Sequence, residues 1–347
     1  VIQDGVNRPL IFDGQGARKS VFEDQEIPVG TFMAYGLGRI FVTIPGTASF
    51  LAGDFELPEE PETALKFTET EYINEGGAFS LPMALGPITG MAFLRAPGTA
   101  SSLGLLVVSG TSGISYINVA YPRSGWSTVD VSSVGVLGHG VAAQSSLVNI
   151  DDDLLYLSGD GDIRTVKTSQ ADSQVQIHRS YSREVLHWLD HNTGHLLPFG
   201  SAMLLNRRVL TTVAAEWTTS KVDGEIVAQV RHKGLLALDY DRTGSLDGTD
   251  RPAYDGLWTG VRPLALVSSR SVNRGFVFSR DTDGFSRLYE IVEGQRDAGD
   301  HRPEMQVQPG AQVFYGKDRK LTTVVKSLIG AEVWVGEVSG RTDISLA

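Results

Sequence analysis

The segment FVFSRDTDGFSRLYEIV (Phe276–Val292) has a short apolar, β-rich run on each side of a polar turn that contains Asp-Gly. Two such runs separated by a turn predict two β-strands that pair as a hairpin. Three other segments repeat this pattern: LLVVSGTSGISYINV (Leu105–Val119), LLYLSGDGDIRTVKT (Leu154–Thr168) and VIQDGVNRPLIFDG (Val1–Gly14). The sequence therefore predicts a protein assembled from one recurring hairpin.

Further short β-rich runs, each bounded by Gly, Pro or Ser, have the length of a single strand. They are Arg39–Ile44, Gly90–Ala96, Gly104–Gly110, Arg208–Val213, Lys233–Asp241, Leu321–Ile329 and Ala331–Val338. One exception to this pattern lies between Ser180 and Phe199, where Ser182 is placed as an N-cap and Gly194 as a terminator. Because apolar residues between them follow helical spacing, we predict a short helical insertion there.

The strand groups begin near Arg39, Ile88, Ser145, Ser201, Val261 and Gln312. Most intervals are about 50–60 residues, a period typical of propeller blades that each hold several strands. We therefore predict an all-β fold, a single β-propeller domain over residues 1–347 with five or six blades. The recurring hairpin would be the outer half of each blade.

The opening hairpin, residues 1–14, lacks inner strands of its own. We predict that it completes the blade formed by residues after Gln312 and so closes the ring. The alternative is that it finishes a blade begun in residues outside the given chain. Two segments, 46–87 and 239–260, are predicted as long loops, which in a compact domain usually contact something.

Composition limits the possible chemistry. The chain of 347 residues is 41% hydrophobic, has 39 Gly and contains no Cys. Disulfides, thiolate metal sites and cysteine nucleophiles are thereby excluded, and synthesis in a reducing cytoplasm is expected. The formal charge of −11 disfavours tight wrapping of DNA. No apolar run is long enough for a transmembrane helix, and no signal-peptide pattern is present.

Three histidines, His187, His191 and His195, are spaced four apart, and on a helix such residues share a face from which they can bind a metal. Trp188 follows His187 where a zinc peptidase would have Glu, and the stretch before Gly194 is expected to end the helix before His195. We therefore interpret these histidines as a solvated or packed surface, with metal binding as the alternative.

Asp-rich turns form a second group of candidates. Carboxylates at alternate loop positions can hold calcium, but Asp and Gly are also the residues that hairpin turns require. No stretch completes the EF-hand pattern, so we interpret these aspartates as turn residues, with calcium binding as the alternative. The group comprises Asp151, Asp152, Asp153, Asp160, Asp162, Asp281 and Asp283.

The same turns resemble the Asp-box of sialidase propellers without matching it. Ser279 and Asp281 fit, but Gly284 comes one place late, with Tyr289 downstream. Ser158 and Asp160 fit no better, because Gly161 comes one place early. No pair of carboxylates stands out as a glycosidase centre, and phosphate-loop, nucleophile-elbow and dinucleotide motifs are absent from the sequence. We predict that the chain is not an enzyme and assign no catalytic, cofactor-binding or metal-binding residue.

Several sequence segments, taken together, resemble virion proteins of tailed bacteriophages, of the propeller-bearing tail-nozzle, hub or DNA-stabilisation type. The segments are QDGVNRPLIFDG (Gln3–Gly14), KFTETEYINEGGAFSLPMALGPITGMAFL (Lys66–Leu94), DDDLLYLSGDGDIRTVKT (Asp151–Thr168), FGSAMLLNRRVLTTV (Phe199–Val213) and YDGLWTGVRPLALV (Tyr254–Val267). The resemblance covers most of the chain and rests on these sequence segments rather than on a catalytic signature.

This resemblance implies a structural component of the tail: a subunit of an oligomeric ring, expected by analogy to be a hexamer, that forms or decorates the DNA conduit and helps to retain the packaged genome. Its partners would be copies of itself, the adaptor or connector, other tail proteins, and genomic DNA that passes without sequence-specific binding. It would reside in the virion after assembly in the host bacterial cytoplasm. The alternative is a peripheral tail propeller that binds a receptor or glycan. The family's additional platform or tip domains are not evident, so the chain could be a whole nozzle, a portion of one or a separate propeller subunit.

Overall fold

The computed structural model describes residues 1–68, 78–94, 105–117, 119, 139–150, 153–166, 180–185, 189, 194–222, 225–240, 253–259, 261–269, 272–280 and 285–292. The chain divides into two compact units, Val1–Met305 and Gln306–Ala347, and every described residue belongs to the first. The strands predicted at 321–329 and 331–338, and the blade predicted after Gln312, lie outside the described residues.

Strands dominate the described residues, which confirms the all-β class. The strands are β1 (Leu10–Phe12), β2 (Ala17–Lys19), β3 (Met33–Gly36), β4 (Arg39–Thr43), β5 (Ser49–Ala52), β6 (Ala78–Ser80), β7 (Ile88–Leu94), β8 (Leu105–Gly110), β9 (Ile114–Ile117), β10 (Val148–Ile150), β11 (Asp153–Leu157), β12 (Ile163–Thr165), β13 (Ala202–Leu205), β14 (Arg208–Val222), β15 (Glu225–Asp239), β16 (Ala253–Thr259), β17 (Pro263–Ser269), β18 (Arg274–Arg280) and β19 (Ser286–Ile291). Short 3-10 helices occupy Phe22–Asp24, Pro61–Leu65, Met83–Leu85, Gln144–Ser146, Tyr181–Val185 and Gly194–Phe199.

The strands form antiparallel sheets in which spatial order follows chain order: β1–β2, β3–β6, β7–β9, β10–β12, β13–β16 and β17–β19. Three predicted hairpins are confirmed as β8–β9, β11–β12 and β18–β19. In the opening segment, Ile2 pairs with Leu10 in an isolated bridge, but the main partner of β1 is β2, so the predicted hairpin is only partly right.

Two of the sheets begin with the same hairpin. Leu37 and Gly38 connect β3 to β4 with φ of 54° and 71°, and Asn206 and Arg207 connect β13 to β14 with φ of 48° and 62°. Positive φ at both residues characterises the tight turn whose twist matches that of paired strands. A threonine hydroxyl 11 residues further on accepts a hydrogen bond from the amide preceding the first strand, Phe32 to Thr43 and Ser201 to Thr212, both 2.9 Å. The two sheets are thus copies of one structural unit.

Alternate residues of a central strand face different neighbouring sheets, because side chains along a strand point to opposite faces. In β8, Leu106 and Val108 are buried with residues of β3–β6, whereas Val107 is buried with Leu154 and Tyr156 of β11. Both faces of the β7–β9 sheet are therefore covered.

The same division continues along the chain. In β11, Leu155 and Leu157 point away from Leu154 and are buried with residues of β13–β15. In β14, Val209 belongs to that layer, whereas Leu210 is buried with residues of β17 and β18. Successive sheets from β3–β6 to β17–β19 are consequently stacked face to face in chain order.

The first strands of neighbouring sheets also contact one another: β3 with β7, β10 with β13, and β13 with β17. Polar side chains just before the first strand of one sheet bond to the backbone of the preceding or the next sheet. The Gln144 amide accepts from the Met91 amide at 2.7 Å and donates to the Met91 carbonyl at 2.9 Å, and Ser201 Oγ accepts from the Leu266 amide at 3.0 Å. A Cβ added to Gly140 would overlap the carbonyl oxygen of Gly110, so backbones touch at this seam.

Residues 1–27 cover the remaining face of the β3–β6 sheet, where Ile11 and Ile27 are buried with Val42. Glu26 lies beside them, only 7% exposed, and fixes this segment. Its two oxygens accept from the Arg18 guanidinium at 2.7 and 2.9 Å, and Lys66 Nζ lies 3.5 Å away. The hydrogen bond from Arg18 is the main cause that lowers the pKa of Glu26 to about 2 from its ordinary 4.5.

The prediction of a long loop over 46–87 is wrong in part. The segment contains β5, β6 and the 3-10 helices Pro61–Leu65 and Met83–Leu85. Phe50 and Ala52 of β5 are buried against the next sheet, and this burial stabilises a strand too short to show clear alternation. In the second predicted loop, 239–260, residues 253–259 form β16, which pairs with β15.

The predicted helical insertion is present in part. Tyr181–Val185 is a 3-10 helix with Ser182 inside it, and Leu189 is helical and buried. Ser182 does not act as the predicted N-cap, because its hydroxyl accepts a hydrogen bond from the amide of Ile163 at 3.1 Å. Gly194 is the first residue of the 3-10 helix Gly194–Phe199, and the residues just before it, where the predicted helix would end, lie outside the described residues.

The substitution Leu155→Ala tests the stacking of sheets. Leu155 is 1% exposed between two sheets, so its truncation should lower the free energy of unfolding by about 2–5 kcal/mol in a denaturant titration. The matched control Leu57→Ala, at a residue 47% exposed, should change it by less than about 0.5 kcal/mol. Equal stability of the two variants would contradict the core position of β11.

The depressed pKa of Glu26 predicts an acid-dependent loss of stability. Its folded pKa is lower than its unfolded pKa, so the stabilisation is present above pH 4.5 and is lost as pH falls towards about 2. Because Arg18 is about half exposed, we expect an effect of only about 1–2 kcal/mol. Glu26→Gln should reduce stability at pH 7 and flatten its pH dependence between pH 4.5 and about 2. A wild-type-like pH profile would contradict this role.

Candidate functional site

The most concentrated group of charged side chains in the described residues surrounds the turn between β11 and β12. We refer to it as the Arg164 cluster, which comprises His139, Ser158, Asp160, Asp162, Arg164 and Ser182. Arg164 is the second residue of β12 and its side chain is only 3% exposed. Its NH2 nitrogen lies 3.2 Å from Asp160 Oδ2 and 3.0 Å from Asp162 Oδ2.

The turn itself places both carboxylates near the arginine. Gly161 adopts φ of 90°, a conformation that favours glycine, and its amide donates to the Ser158 carbonyl at 2.9 Å. Ser158 Oγ bonds to the Asp160 carboxylate and lies 2.8 Å from the Asp162 carbonyl oxygen. The sequence SGDGD therefore directs Asp160 and Asp162 back towards β12.

Neighbouring segments complete the cluster. Ser182, in the 3-10 helix Tyr181–Val185, donates to Asp162 Oδ1 at 3.0 Å. On the other side, His139 Nδ1 lies 3.1 Å from Asp160 Oδ2. Segments that are 20 or more residues apart in the chain thus converge on one turn.

Opposing effects set the charge of Asp160. Its partial burial acts to raise the pKa, but the Ser158 hydroxyl and the positive charges of Arg164 and His139 outweigh burial, so the pKa lies below its usual value. Asp160 therefore remains ionised at neutral pH. The negative charge that it contributes balances the buried guanidinium, which could not otherwise leave water without a large cost.

The arrangement is suited to fixing structure rather than to reacting with a substrate. The guanidinium occupies the side of Asp160 and Asp162 where a calcium ion would have to bind, which favours the interpretation of these residues as turn residues. Within the described part of the chain, no grouping of three or more His, Asp or Glu side chains is arranged for a metal. Asp153 Oδ1 accepts from the Leu154 amide at 2.7 Å, whereas Asp151, Asp152, Asp281 and Asp283 lie outside the described residues.

The histidine prediction is only partly testable in the structure. His187 and His191 lie outside the described residues, and His195 is exposed on the 3-10 helix Gly194–Phe199. The sequence reasoning overlooked His232, which is 2% exposed with Nδ1 3.2 Å from the Pro263 carbonyl oxygen. Burial lowers the pKa of His232, so this imidazole is neutral at pH 7. The sequence signal for its burial was the position of His232 in the alternating pattern of β15.

The described residues of the imperfect Asp-box at 279–289 make hydrogen-bond and packing contacts within the sheets. Ser279 is buried, and its hydroxyl donates to the Arg262 carbonyl at 2.8 Å. Tyr289 is partly buried against the layer that contains Leu266 and Val277. Ser279 and Tyr289 therefore each make a structural contact within the sheets, and Asp281, like Gly284, lies outside the described residues.

No protein-family model matches this sequence, and no curated protein matches it either. Among the residues that the structure describes, no helix has the length and apolar character needed to cross a membrane. The function must accordingly be argued from the architecture and from the chemistry of the Arg164 cluster.

The Arg164 cluster yields a stability prediction with an internal control. Arg164→Leu would leave Asp160 and Asp162 partly buried without their cation, and should lower the free energy of unfolding by about 2–5 kcal/mol. The control Arg274→Leu removes an exposed pair with Glu290, 2.6 Å apart, and should cost far less stability, because water screens an exposed ion pair. Chemical denaturation at pH 7 measures both. If Arg164→Leu were as mild as the control, the cluster would not stabilise the turn.

Proposed function

We propose that the stacked sheets belong to a β-propeller of five or six blades. The proposal is supported by the arrangement of successive antiparallel meanders, whose first strands adjoin one another as the inner strands of blades do. Each central sheet is apolar on both faces, as a blade between two neighbours must be.

The outer face of β17–β19 supports closure into a ring. Val267, Phe278 and Leu288 are on this face and are 57%, 39% and 62% exposed. An apolar sheet face of this kind requires a further layer, because exposed apolar area of this size is unusual on a soluble protein. In a closed propeller another blade supplies that layer.

We further propose that this propeller is a structural subunit of a bacteriophage tail, in an oligomeric nozzle or hub that forms or decorates the DNA conduit. The observation that carries this proposal is that the most concentrated charged group in the described residues, the Arg164 cluster, has its carboxylates turned onto a buried arginine. That chemistry suits a rigid building block. The sequence segments that resemble bacteriophage tail proteins supply the biological setting.

The proposed partners follow from the same setting. Copies of the chain would form a ring, proposed as a hexamer, that contacts the adaptor or connector and other tail proteins in the virion. Genomic DNA would pass without sequence-specific binding, and the formal charge of −11 favours passage because each lysine or arginine contact to phosphate adds affinity. The subunit would retain the packaged genome as part of an assembled tail, not as an enzyme.

Imaging of tagged particles tests this function. Phage particles assembled with an affinity-tagged version of this chain should show the tag in a ring around the tail axis, with a propeller-shaped density for each copy. Absence of the chain from the tail would refute the proposal. A peripheral position together with a bound glycan would favour receptor recognition instead.

A further inference from the structure

A two-stranded ribbon projects from the β13–β16 sheet. Strands β14 and β15 pair over their whole length, from Arg208 opposite Asp239 to Val222 opposite Glu225. Their neighbours are shorter: β13 pairs only as far as Thr211, and β16 only as far as Gly234. Residues 215–222 and 225–232 therefore extend beyond the four-stranded sheet, and we call them the arm.

The two faces of the arm differ: one carries an ion-paired group, and the other, which we call the apolar face, carries Trp217, Val230 and Ile226 together with Thr219 and Lys221. On the polar face, Arg231 Nε donates to Glu216 at 3.2 Å, and Lys233 at its base lies 3.5 Å from the same carboxylate. On the opposite face, Trp217 is paired with Val230, and Ile226 lies nearer the tip.

The apolar face is exposed only in part: Val230 is buried at 7% exposed, whereas two larger side chains of the arm are open to solvent. Trp217 is 56% and Ile226 78% exposed. The ring of Phe199, 47% exposed, lies edge-on to Trp217 at a centroid distance of 6.0 Å. Together these side chains present roughly 400 Å² of apolar surface, judged from typical side-chain areas, which is within the range that marks interaction sites. A two-stranded ribbon is at best marginally stable by itself in water, so a contact that covers this face would stabilise the arm.

The charge of the arm favours a second copy of the chain as its partner. The whole chain carries −11, so two copies repel one another over most of their surfaces. The segment 215–233 is neutral, since three acidic residues (Glu216, Asp223, Glu225) balance three basic ones (Lys221, Arg231, Lys233). A contact between copies through the arm therefore avoids the repulsion that other surfaces would impose.

The dimensions of the arm agree with a contact of this kind. Eight residue pairs at about 3.4 Å per residue give a ribbon about 27 Å long. A ribbon of that length, enclosed by a neighbour, supplies area comparable to the roughly 800 Å² per partner of a standard interface.

We propose that the arm binds a second copy of this chain, with Phe199, Trp217 and Ile226 as the central apolar contacts. Tryptophan at the centre of an interface commonly contributes most to its affinity. The proposal rests on the proposed function for its biological role and specifies where the ring contacts lie.

Sedimentation of the purified full chain over a concentration series tests the arm. The wild type should self-associate, and the double variant Trp217→Ser, Ile226→Ser should weaken the association at least tenfold. The control variant Phe22→Ser removes another exposed aromatic residue, 75% exposed and remote from the arm in sequence, and should associate like the wild type. Melting temperatures that match the wild type would show that the variants are folded.

A second variant keeps the test decisive if the double variant fails to fold. Ala228 is exposed and pairs with Thr219 on the apolar face, so Ala228→Glu removes no buried contact but introduces a charge into the interface. It should also weaken self-association at least tenfold. Wild-type-like association of folded arm variants would overturn the arm proposal, as would a wild type that remains monomeric at every concentration. Particle imaging answers the separate question of tail location, so either proposal can fail without the other.

Discussion

A sheet that is apolar on both faces cannot exist alone in water, and this constraint governs the arrangement of the protein. In β11, Leu154 and Tyr156 face one neighbouring sheet while Leu155 and Leu157 face the other, and all four are at most 2% exposed. Each strand of this type requires a sheet on both sides. Stacking in chain order follows because consecutive meanders are the nearest partners available.

Stacking buries the apolar faces of the sheets. It leaves the first strand of each sheet with an unpaired backbone edge, which is costly when buried. Side chains from the next or preceding sheet satisfy several of these groups. Gln144 bonds to both backbone groups of Met91, and Ser201 Oγ accepts from the Leu266 amide. The burial of these two side chains is therefore explained by the architecture.

Hairpins were predictable from the sequence because strong alternation and Gly-rich turns are local signals. Strand β5 was not, since four residues show little alternation and its stability comes from burial of Phe50 against another sheet. Strand β16 was hidden by its turn-like composition and contains Gly256 with φ of 110°, beside an irregularity in its pairing with β15. The turn at Asp160 was recognised, but its partner Arg164 was not, because a buried arginine inside a strand has no distinct sequence pattern. The arm was missed for a related reason: β14 continues beyond Val213 through polar residues that resemble a loop.

Where Gly140 approaches Gly110, main chain meets main chain without any side chain between them. The spacing of the two sheets at this point is thus set by atoms that every residue shares, whereas elsewhere it depends on the volumes of particular apolar groups. Such a contact fixes the distance between the two backbones at this point. The volumes of apolar residues elsewhere between the sheets therefore do not determine how closely the two backbones approach at this point.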